Sequence, residues 1–554
     1  MTVDPVDYAI ISQALIATAQ EMGAKLVRSA YSTVLREAQD GSAALLDPGG
    51  GTVAQAELIP MHLGTIGHVF QHCARQYPSE TLGPHDFLVI NDPYSGGQHL
   101  QDVFFFHPIF FEGTLLGFAA SVAHHLDVSG GSPGINSTAT DVYGEGIIIP
   151  PLKLDMRRDW NGGPFERLLH ANVRVPHQTM GDFDAQMAAN AIGTVRLQEL
   201  ARRYGTDLLL KVMGLLQDYS ETRMRAAIRA IPDGTYRGED RVDDDGVSDR
   251  PIAIVSTVTV AGDSISVDFA GTAEQVTRNL NAPFAATVSS ALSCVKAVLT
   301  TPDVPFNAGI NRPVEVSAPY GSVLNPRHPA PVRARMEVSY RAFNATMKAL
   351  ARAVPEQAIA TGYDTTTVAC FSYLTPTGWS VYMDILGGGF GASSTTDGCH
   401  AVDGPLSNCS NTPVEAVDQD FTFIRVVEYA LRPDSCGVGR QRGGLGFFRR
   451  YEILSEPAEL SLYGDRYRFG AEGLFGGGEG AMGYCQIARD GETISIPSKG
   501  SVALRKGDVV TFALGGGGGY GDPADRDPRL IEEESADSLI TPDLAARWTA
   551  PNPR

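Results

Sequence analysis

Two neighbouring apolar runs stand out in the N-terminal half of the chain, at residues 103–111 and 115–123. Each run has the length expected of a buried strand. The residues between them, Glu112-Gly113, have the composition of a turn. The pattern therefore predicts two consecutive strands, and the turn-forming residues from Asn91 to Gly97 predict a loop ahead of the first one.

Several side chains that could bind a metal ion lie close together at the ends of these two predicted strands. His99 and Asp102 precede the first strand, and His124 ends the second. Because side chains alternate along a strand, His124 and His125 should point to opposite faces, and only one of them can face a shared site. Two imidazoles and a carboxylate suit a divalent first-row metal and leave positions open for water or substrate. A loop hydrogen bond is the plain alternative for a His-x-x-Asp pair.

Helical periodicity dominates much of the rest of the N-terminal half. Asp4 followed by Pro5 predicts a helix start, and apolar residues at helical spacing continue this helix to about Ala30. The same periodicity predicts two long helices at residues 181–204 and 207–230. These helices are interpreted as packing elements without chemistry of their own.

The second half of the chain has a different pattern. From Tyr236 onward, short runs alternate in hydrophobicity as strands do, and glycine becomes dense after residue 360. We therefore predict an α+β fold in two domains. Residues 1–230 would form a mixed α/β domain that carries the metal site, and residues 231–554 a β-rich domain with glycine-rich loops.

The composition is that of an ordinary globular protein, with 43% hydrophobic and 19% charged residues among 554. The net charge of −20 argues against nucleic acid or an anionic membrane as the main partner. No apolar run approaches the ~18 residues of a membrane span, and the start lacks the features of a signal peptide. We therefore expect a cytoplasmic protein, whose seven cysteines, without any Cys-x-x-Cys pair, are reduced.

Several segments resemble ligand-binding motifs only superficially. The glycines at 387–391 are not followed by a helical pattern, as a dinucleotide-binding loop requires. Residues 515–519 lack the following Lys-Ser/Thr of a phosphate-binding loop, and the acidic run at 243–245 lacks the spacing of a calcium loop. We therefore expect no nucleotide site in this chain. Arg442, in a further glycine-rich segment, is interpreted either as part of an anion pocket or as part of a loop interface.

Two ordered motifs enclose the candidate ligands: Asn91-Asp92-Pro93-Tyr94-x-Gly96-Gly97-x-His99-Leu100-x-Asp102 and Ala123-His124-His125-x-Asp127. Through these motifs the chain resembles the hydantoinase B family. This family groups the B-type subunits of N-methylhydantoinase and oxoprolinase with the related subunit of acetone and acetophenone carboxylases. A further patterned segment, containing Arg36, Glu37, Asp40 and Ser42, also follows the family, and the resemblance extends over about residues 5 to 525.

The resemblance implies roles for particular residues. His99, Asp102 and His124 would be ligands of a divalent metal, for which zinc, manganese and iron are all suitable. Asp127 or His125 would be a fourth ligand or would orient a ligand, and Asp127 is, with Glu145, also a candidate catalytic residue.

Three further residues are candidates for the same site. Glu145 matches the Glu-Gly of the family pattern and would be a general base or a further ligand, or would hydrogen-bond a loop. Asp40 and His62 are secondary candidates for the same pocket, and loop hydrogen bonds are the alternative for them.

The resemblance also implies a division of labour between two subunits. An A-type partner binds ATP and phosphorylates the oxygen of a small cyclic amide, such as a hydantoin, oxoproline or another lactam. The B-type subunit then hydrolyses the activated substrate with water activated by the metal. We therefore expect an ATP-dependent hydrolase that works as a hetero-oligomer. The alternatives are the equivalent subunit of an ATP-dependent carboxylase and a scaffold subunit without catalysis.

Overall fold

The computed structural model describes residues 3–549 and confirms the predicted α+β fold. The helices are α1 (Pro5–Ser29), α2 (Thr33–Arg36), α3 (Pro60–Leu63), α4 (Ile66–Gln76), α5 (Pro164–Asn172), α6 (Pro176–Tyr204), α7 (Thr206–Arg229), α8 (Phe284–Leu299), α9 (Ala308–Asn311), α10 (Arg335–Ala351), α11 (Val414–Asp420), α12 (Pro528–Ala536) and α13 (Pro542–Thr549). The strands are β1 (Gly41–Leu46), β2 (Thr52–Ala56), β3 (Asp86–Ile90), β4 (Asp102–Phe111), β5 (Thr114–His124), β6 (Leu152–Asp155), β7 (Gly234–Val242), β8 (Ile252–Ala261), β9 (Ser264–Asp268), β10 (Val314–Ser317), β11 (Thr367–Thr375), β12 (Gly378–Leu386), β13 (Ile424–Leu431), β14 (Phe447–Ile453), β15 (Ala458–Tyr463), β16 (Tyr484–Arg489), β17 (Glu492–Ile496), β18 (Lys499–Leu504) and β19 (Val509–Ala513).

The two apolar runs form the central hairpin of a six-stranded sheet with the order β2-β1-β5-β4-β3-β6. Strands β4 and β5 are antiparallel, and their register pairs Asp102 with His124 directly across the hairpin. Apolar clusters cover both faces of the sheet, which explains why these strands are apolar throughout rather than alternating. The hairpin thus fixes one end of each strand beside the other, and the polar residues lie at this end.

The predicted helices are present with small differences in their bounds. The helix α1 starts as predicted, since the side chain of Asp4 accepts a hydrogen bond from Val6 N at 2.8 Å. The helix α6 begins at Pro176 rather than at the predicted residue 181, because proline occupies its first turn, where no helical hydrogen-bond donor is needed. Across residues 3–549, none of the helices combines the length and the hydrophobicity needed to span a lipid bilayer.

The remaining strands belong to three further sheets. Their orders are β10-β9-β8-β7, β12-β11-β15-β18 and β13-β14-β19-β16-β17, and all of their strands follow residue 233. The largest apolar cluster nevertheless joins residues from both halves, among them Met61 and Leu126 with Ile254 and Leu350. The domain boundary near residue 231 therefore remains a prediction.

The glycine-rich segments pack against one another through their backbones. Gly389 N donates to Gly515 O at 3.0 Å, Gly444 N to Phe390 O at 2.8 Å, and Gly517 N to Gly444 O at 3.0 Å. A Cβ atom at residue 517 would lie 2.0 Å from the oxygen of Phe390. Glycine is therefore required here because main chains approach one another too closely for a side chain.

Replacing Gly517 with alanine should lower the free energy of unfolding by about 2–3 kcal/mol or more, because the clashing atom is a backbone oxygen that cannot rotate away. The matched control is Gly214→Ala in the helix α7, where a Cβ meets nothing within 4 Å. Alanine there should be neutral or stabilise by up to ~1 kcal/mol. Urea unfolding of both variants measures the difference, and equal stabilities would contradict this explanation of the glycines.

Candidate metal centre

The open end of the β4–β5 hairpin brings three predicted ligands together. His99 lies in the loop before β4, Asp102 is the first residue of β4, and His124 is the last residue of β5. His99 Nε2 lies 2.9 Å from Asp102 Oδ1, and His124 Nδ1 lies 3.5 Å from the same oxygen. One ligand atom of each residue lies within 4.8 Å of the other two, and all three residues are buried.

The loop that carries His99 is held by the residues of its own motif. The Asn91 side chain donates to Leu100 O at 2.7 Å and to Ile147 O at 2.9 Å. Asp92 accepts from Tyr94 N at 2.9 Å, and a Cβ at Gly97 would lie 2.7 Å from Asp92 O. The motif is therefore a compact turn whose polar groups are satisfied locally, and it presents His99 to the end of the hairpin.

The hydrogen bonds of His99 test whether a cation fits between these groups. His99 Nδ1 lies 3.1 Å from Arg333 O, and a proton on Nδ1 turns the lone pair of Nε2 towards Asp102 Oδ1. Burial lowers the pKa of His99 well below 6.5, so the ring is neutral. Two acceptor atoms 2.9 Å apart repel each other unless a cation lies between them. The donor set therefore fits a divalent metal, with the backbone carbonyl fixing the tautomer.

The same geometry has a metal-free alternative. Arg333 Nη1 lies 3.2 Å from His99 Nδ1 and donates to it when that nitrogen carries no proton. His99 Nε2 then carries the proton and donates it to Asp102 Oδ1. The tautomer of His99 thus distinguishes the two states of the site.

Two arginines from the other half of the chain complete the cluster. Arg335 Nη2 donates to Asp102 Oδ2 at 2.6 Å, and Arg335 Nε donates to Gln98 Oε1 at 2.9 Å. Arg333 Nη2 lies 3.3 Å from His124 Nε2. Burial alone would raise the pKa of Asp102, but its basic neighbours, among them the permanently charged Arg335, hold this pKa well below its usual range. Asp102 is therefore an ionised carboxylate with one oxygen held by Arg335 and the other facing the histidines.

These arginines and the acidic residue that follows them were not predicted from the sequence. Arg333, Arg335 and Glu337 are all buried at the start of α10. Three charged residues at alternate positions, directly after the proline-rich segment 329–331, were the available signal. Charged side chains are almost never fully buried unless they have partners, so such a run at a helix start indicates a site when its neighbours are apolar.

The secondary candidates Asp40 and His62 reach the cluster, whereas His125 does not. Asp40 Oδ2 lies 3.3 Å from His124 Nδ1, and His62 Nε2 lies 3.4 Å from Asp102 Oδ2. His125 points to the opposite face of the sheet, as the alternation predicts, and bonds Gln186 Oε1 at 2.9 Å. Its ring also stacks on Phe183 at 3.8 Å. Of the two adjacent histidines, His124 is the one that faces the site.

The two predicted catalytic carboxylates hold backbone segments. Glu145 accepts hydrogen bonds from Val332 N at 3.0 Å and from Arg333 N at 2.8 Å, and burial raises its pKa to about 8. Asp127 pairs with Arg174 at 3.1 Å and also accepts from the backbone nitrogen of that residue. Neither carboxylate is among the described residues that line the cavity at the cluster. Direct catalysis by either residue remains a prediction.

A narrow cavity of about 50 Å³ opens at the cluster. The polar part of its wall includes the charged and titratable residues Asp40, His62, His99, His124, Arg333, Arg335 and Glu337. Its apolar part includes Ile59, Met61, Val368, Met383 and Ile385. The cavity wall therefore presents both charged and apolar side chains.

Arg442, for which the sequence left an anion pocket and a loop interface as alternatives, has protein partners. Its guanidinium donates to Glu534 Oε1 and to the carbonyl oxygens of Gly398 and Gly443. A further nitrogen lies 3.2 Å from His400 Nε2. This arginine therefore joins glycine-rich loops to α12, which supports the loop-interface interpretation.

Replacing Arg335 with glutamine should lower the free energy of unfolding of the metal-free protein by about 3–5 kcal/mol, because it leaves the buried charge of Asp102 without its partner. The control is Arg312→Gln, whose exposed pairs with Asp218 and Glu221 should contribute less than about 1 kcal/mol. Chemical denaturation in the presence of a chelator measures both. A loss at Arg335 no larger than at Arg312 would contradict the assigned ion pair.

Comparison with known proteins agrees with the fold. The family model described as Hydantoinase B/oxoprolinase matches residues 4–523. A protein of Pseudomonas sp. (strain NS671), provisionally named as the B-type subunit of a D-/L-hydantoinase, is 33% identical over 567 residues, which cover 98% of this chain and 94% of that protein.

Two solved structures resemble the fold. The ATP-dependent caprolactamase from Pseudomonas jessenii is 26% identical, with a TM-score of 0.88, and the match covers 98% of this chain and 96% of that chain. An acetone carboxylase in its nucleotide-free state is 18% identical, with a TM-score of 0.87 over 98% of this chain and 79% of that one, and shows the fold alone. The family match over nearly the whole chain confirms the resemblance in the sequence, and the protein belongs to the hydantoinase B/oxoprolinase family.

Proposed function

We propose that this chain is the B-type subunit of an ATP-dependent cyclic amide hydrolase. In this proposal an A-type partner binds ATP and phosphorylates the amide oxygen, and this chain carries out the hydrolytic step. The observation that carries the proposal is the convergence of His99, Asp102 and His124 with the buried Arg333 at one cavity. The relatives named as a hydantoinase subunit and as an ATP-dependent caprolactamase support the class of substrate.

The chemistry requires the two kinds of group that the cavity offers. An amide carbon is a poor electrophile, and phosphorylation of its oxygen activates the carbon and provides a leaving group. When bound by His99, Asp102 and His124, a divalent cation supplies water of lowered pKa and stabilises developing negative charge. The cation is zinc, manganese or iron in this proposal, because all three accept two imidazoles and a carboxylate.

Arg333 is proposed to bind the phosphoryl group of the activated substrate. Its guanidinium is buried at the cavity wall, and its Nε atom has no hydrogen-bond partner among the described residues. A planar guanidinium suits an anionic oxygen, and a donor without a partner in a buried place gains a hydrogen bond when the ligand enters. The apolar wall, including Met61 and Ile385, would contact the methylene groups of the ring.

Glu145 and Asp127 are proposed to contribute by positioning. Glu145 binds the backbone nitrogens of Val332 and Arg333 and thereby fixes the segment from which the guanidinium of Arg333 extends. Asp127 holds Arg174 beside the loop that follows β5. Both carboxylates would thus set the geometry of the site without contacting substrate.

The metal content of the purified chain tests the ligand set. Wild type should contain close to one zinc, manganese or iron ion per chain, and a His99→Ala, His124→Ala double variant should contain almost none, because two of the three ligands are removed. The control is His125→Gln, which removes the neighbouring imidazole on the opposite face and should keep the metal. Elemental analysis measures all three proteins. Absence of metal from folded wild type after supplementation, or its loss from the control, would contradict the site.

An assay with an A-type partner, ATP and a series of cyclic amides tests the reaction. Ring opening should require both subunits and ATP and should fall at least about 10²-fold in the double variant, because the groups that activate water are absent. ATP hydrolysis by the partner should persist in that variant. ATP-dependent carboxylation of a ketone without ring opening would contradict the proposal and favour the carboxylase alternative.

A further inference from the structure

Glu337 is a carboxylate that lines the cavity and has no role in the metal site or in phosphoryl binding. It lies in the first turn of α10, two residues after Arg335, and is 1% exposed. Asp40 and Glu337 are the carboxylates among the described residues that line the cavity at the metal centre. Asp40 contacts His124, whereas Glu337 has no ion pair with any described residue. Glu337 therefore differs from the other acidic groups of the site, each of which has a basic partner or backbone donors.

The contacts of Glu337 leave one of its oxygens available. Oε2 accepts a hydrogen bond from Thr365 Oγ1 at 2.6 Å. Oε1 has no hydrogen-bond partner among the described residues. A buried carboxylate that is neither paired nor fully hydrogen-bonded is costly to keep, so its presence at a cavity wall indicates a functional reason.

We propose that Glu337 carries protons from the attacking water to the ring nitrogen while the cyclic amide is opened. The inference rests on the proposed function, since it assigns a residue to that same reaction. A ring nitrogen cannot leave from carbon as an anion, so a proton must reach it before or during cleavage of the C–N bond. In this proposal, two residues of the cavity wall have different roles: Arg333 binds the phosphoryl group, and Glu337 transfers protons.

The protons balance over two transfers. In the phosphorylated amide, the carbon has a double bond to nitrogen and a single bond to the phosphoryl oxygen. Water forms a bond to carbon and gives a proton to the Glu337 carboxylate. The C=N π pair becomes a lone pair on nitrogen, and this nitrogen takes the proton from Glu337.

In the second transfer, the new C–OH gives its proton to Glu337, and Glu337 gives that proton to nitrogen. The C–N bond then breaks with its electron pair on nitrogen, which leaves an amine and an acyl phosphate, and Glu337 returns to its starting state. A second water hydrolyses the acyl phosphate to a carboxylate and phosphate.

The environment of Glu337 suits repeated proton transfer near neutral pH. Burial, and to a smaller extent the nearby charge of Asp465, raises the pKa of Glu337 to about 7. Thr365, Arg341 and Lys499 oppose this rise in pKa. The hydroxyls of Tyr363 and Tyr467 also lie close enough to interact with its charge. A group whose pKa lies near the working pH is both a usable base and a usable acid, which the two transfers require.

The reconstituted enzyme tests the inference with Glu337→Gln, which keeps the shape and an acceptor for Thr365 but cannot carry a proton. For a lactam, whose nitrogen leaves as a basic amine, kcat should fall about 10²-fold or more. For a hydantoin the fall should be clearly smaller, because its ureido nitrogen is a better leaving group. Glu356→Gln on an exposed turn is the control and should behave as wild type. Metal content should stay unchanged in both variants.

Two results would overturn the inference. The first is a lactam kcat for Glu337→Gln within about threefold of wild type, and the second is an equal loss for lactam and hydantoin. If the wild-type enzyme opens no cyclic amide, the proposed function itself fails, and a measurement on the isolated chain decides the state of Glu337.

That measurement is the difference infrared spectrum between wild type and Glu337→Gln. The inference predicts a protonated-carboxyl band at mildly acidic pH that disappears at mildly alkaline pH. A Glu337 that is ionised throughout this range would overturn the inference whatever the substrate.

Discussion

The buried carboxylate of Asp102 is the constraint on which the candidate site depends. A carboxylate taken out of water costs several kcal/mol unless it is paired and hydrogen-bonded. Here one oxygen is held by Arg335, with His62 nearby, and the other faces His99 and His124. Asp102 is also the first residue of β4, so the hairpin register fixes its position relative to His124. The charge of one side chain thus orders the ligand set and attaches α10 to the end of the sheet.

This attachment explains why the site needs residues that are far apart in sequence. Asp102 and Arg335 are 233 positions apart in the sequence. Glu145 and Arg333, whose backbone nitrogen donates to the Glu145 carboxylate, are 188 positions apart. The hairpin alone would offer two imidazoles and a carboxylate at a sheet end. The start of α10 adds the guanidinium of Arg335 and the carboxylate of Glu337 to the same cavity wall, and the segment just before it adds Arg333. In the proposed reaction, Arg333 would bind the phosphoryl group of the activated substrate and Glu337 would carry protons.

The hairpin and the His99, Asp102 and His124 cluster were predictable because their signal is local. Strand length and a turn bring the end of the second strand beside the loop of His99 without knowledge of the fold, and alternation shows that only one of His124 and His125 can face that loop. The family resemblance then favoured His124, and the structure places His125 on the opposite face. Arg333 and Glu337 were not predictable in the same way, because their role depends on a long-range contact between a helix start and the hairpin. For Glu145, the sequence indicated the residue but not its role. Its sequence context marked it as important, but only the fold reveals that its carboxylate binds backbone nitrogens.

The most direct test of the central claim is an anomalous diffraction measurement on crystals of the purified chain, collected on both sides of the zinc, manganese and iron absorption edges. We expect one anomalous peak within bonding distance of His99 Nε2, Asp102 Oδ1 and His124 Nδ1, with His99 Nδ1 donating to Arg333 O. Crystals grown with these metals that show no peak at this position, with the side chains well ordered and His99 bonded directly to Asp102, would contradict this expectation.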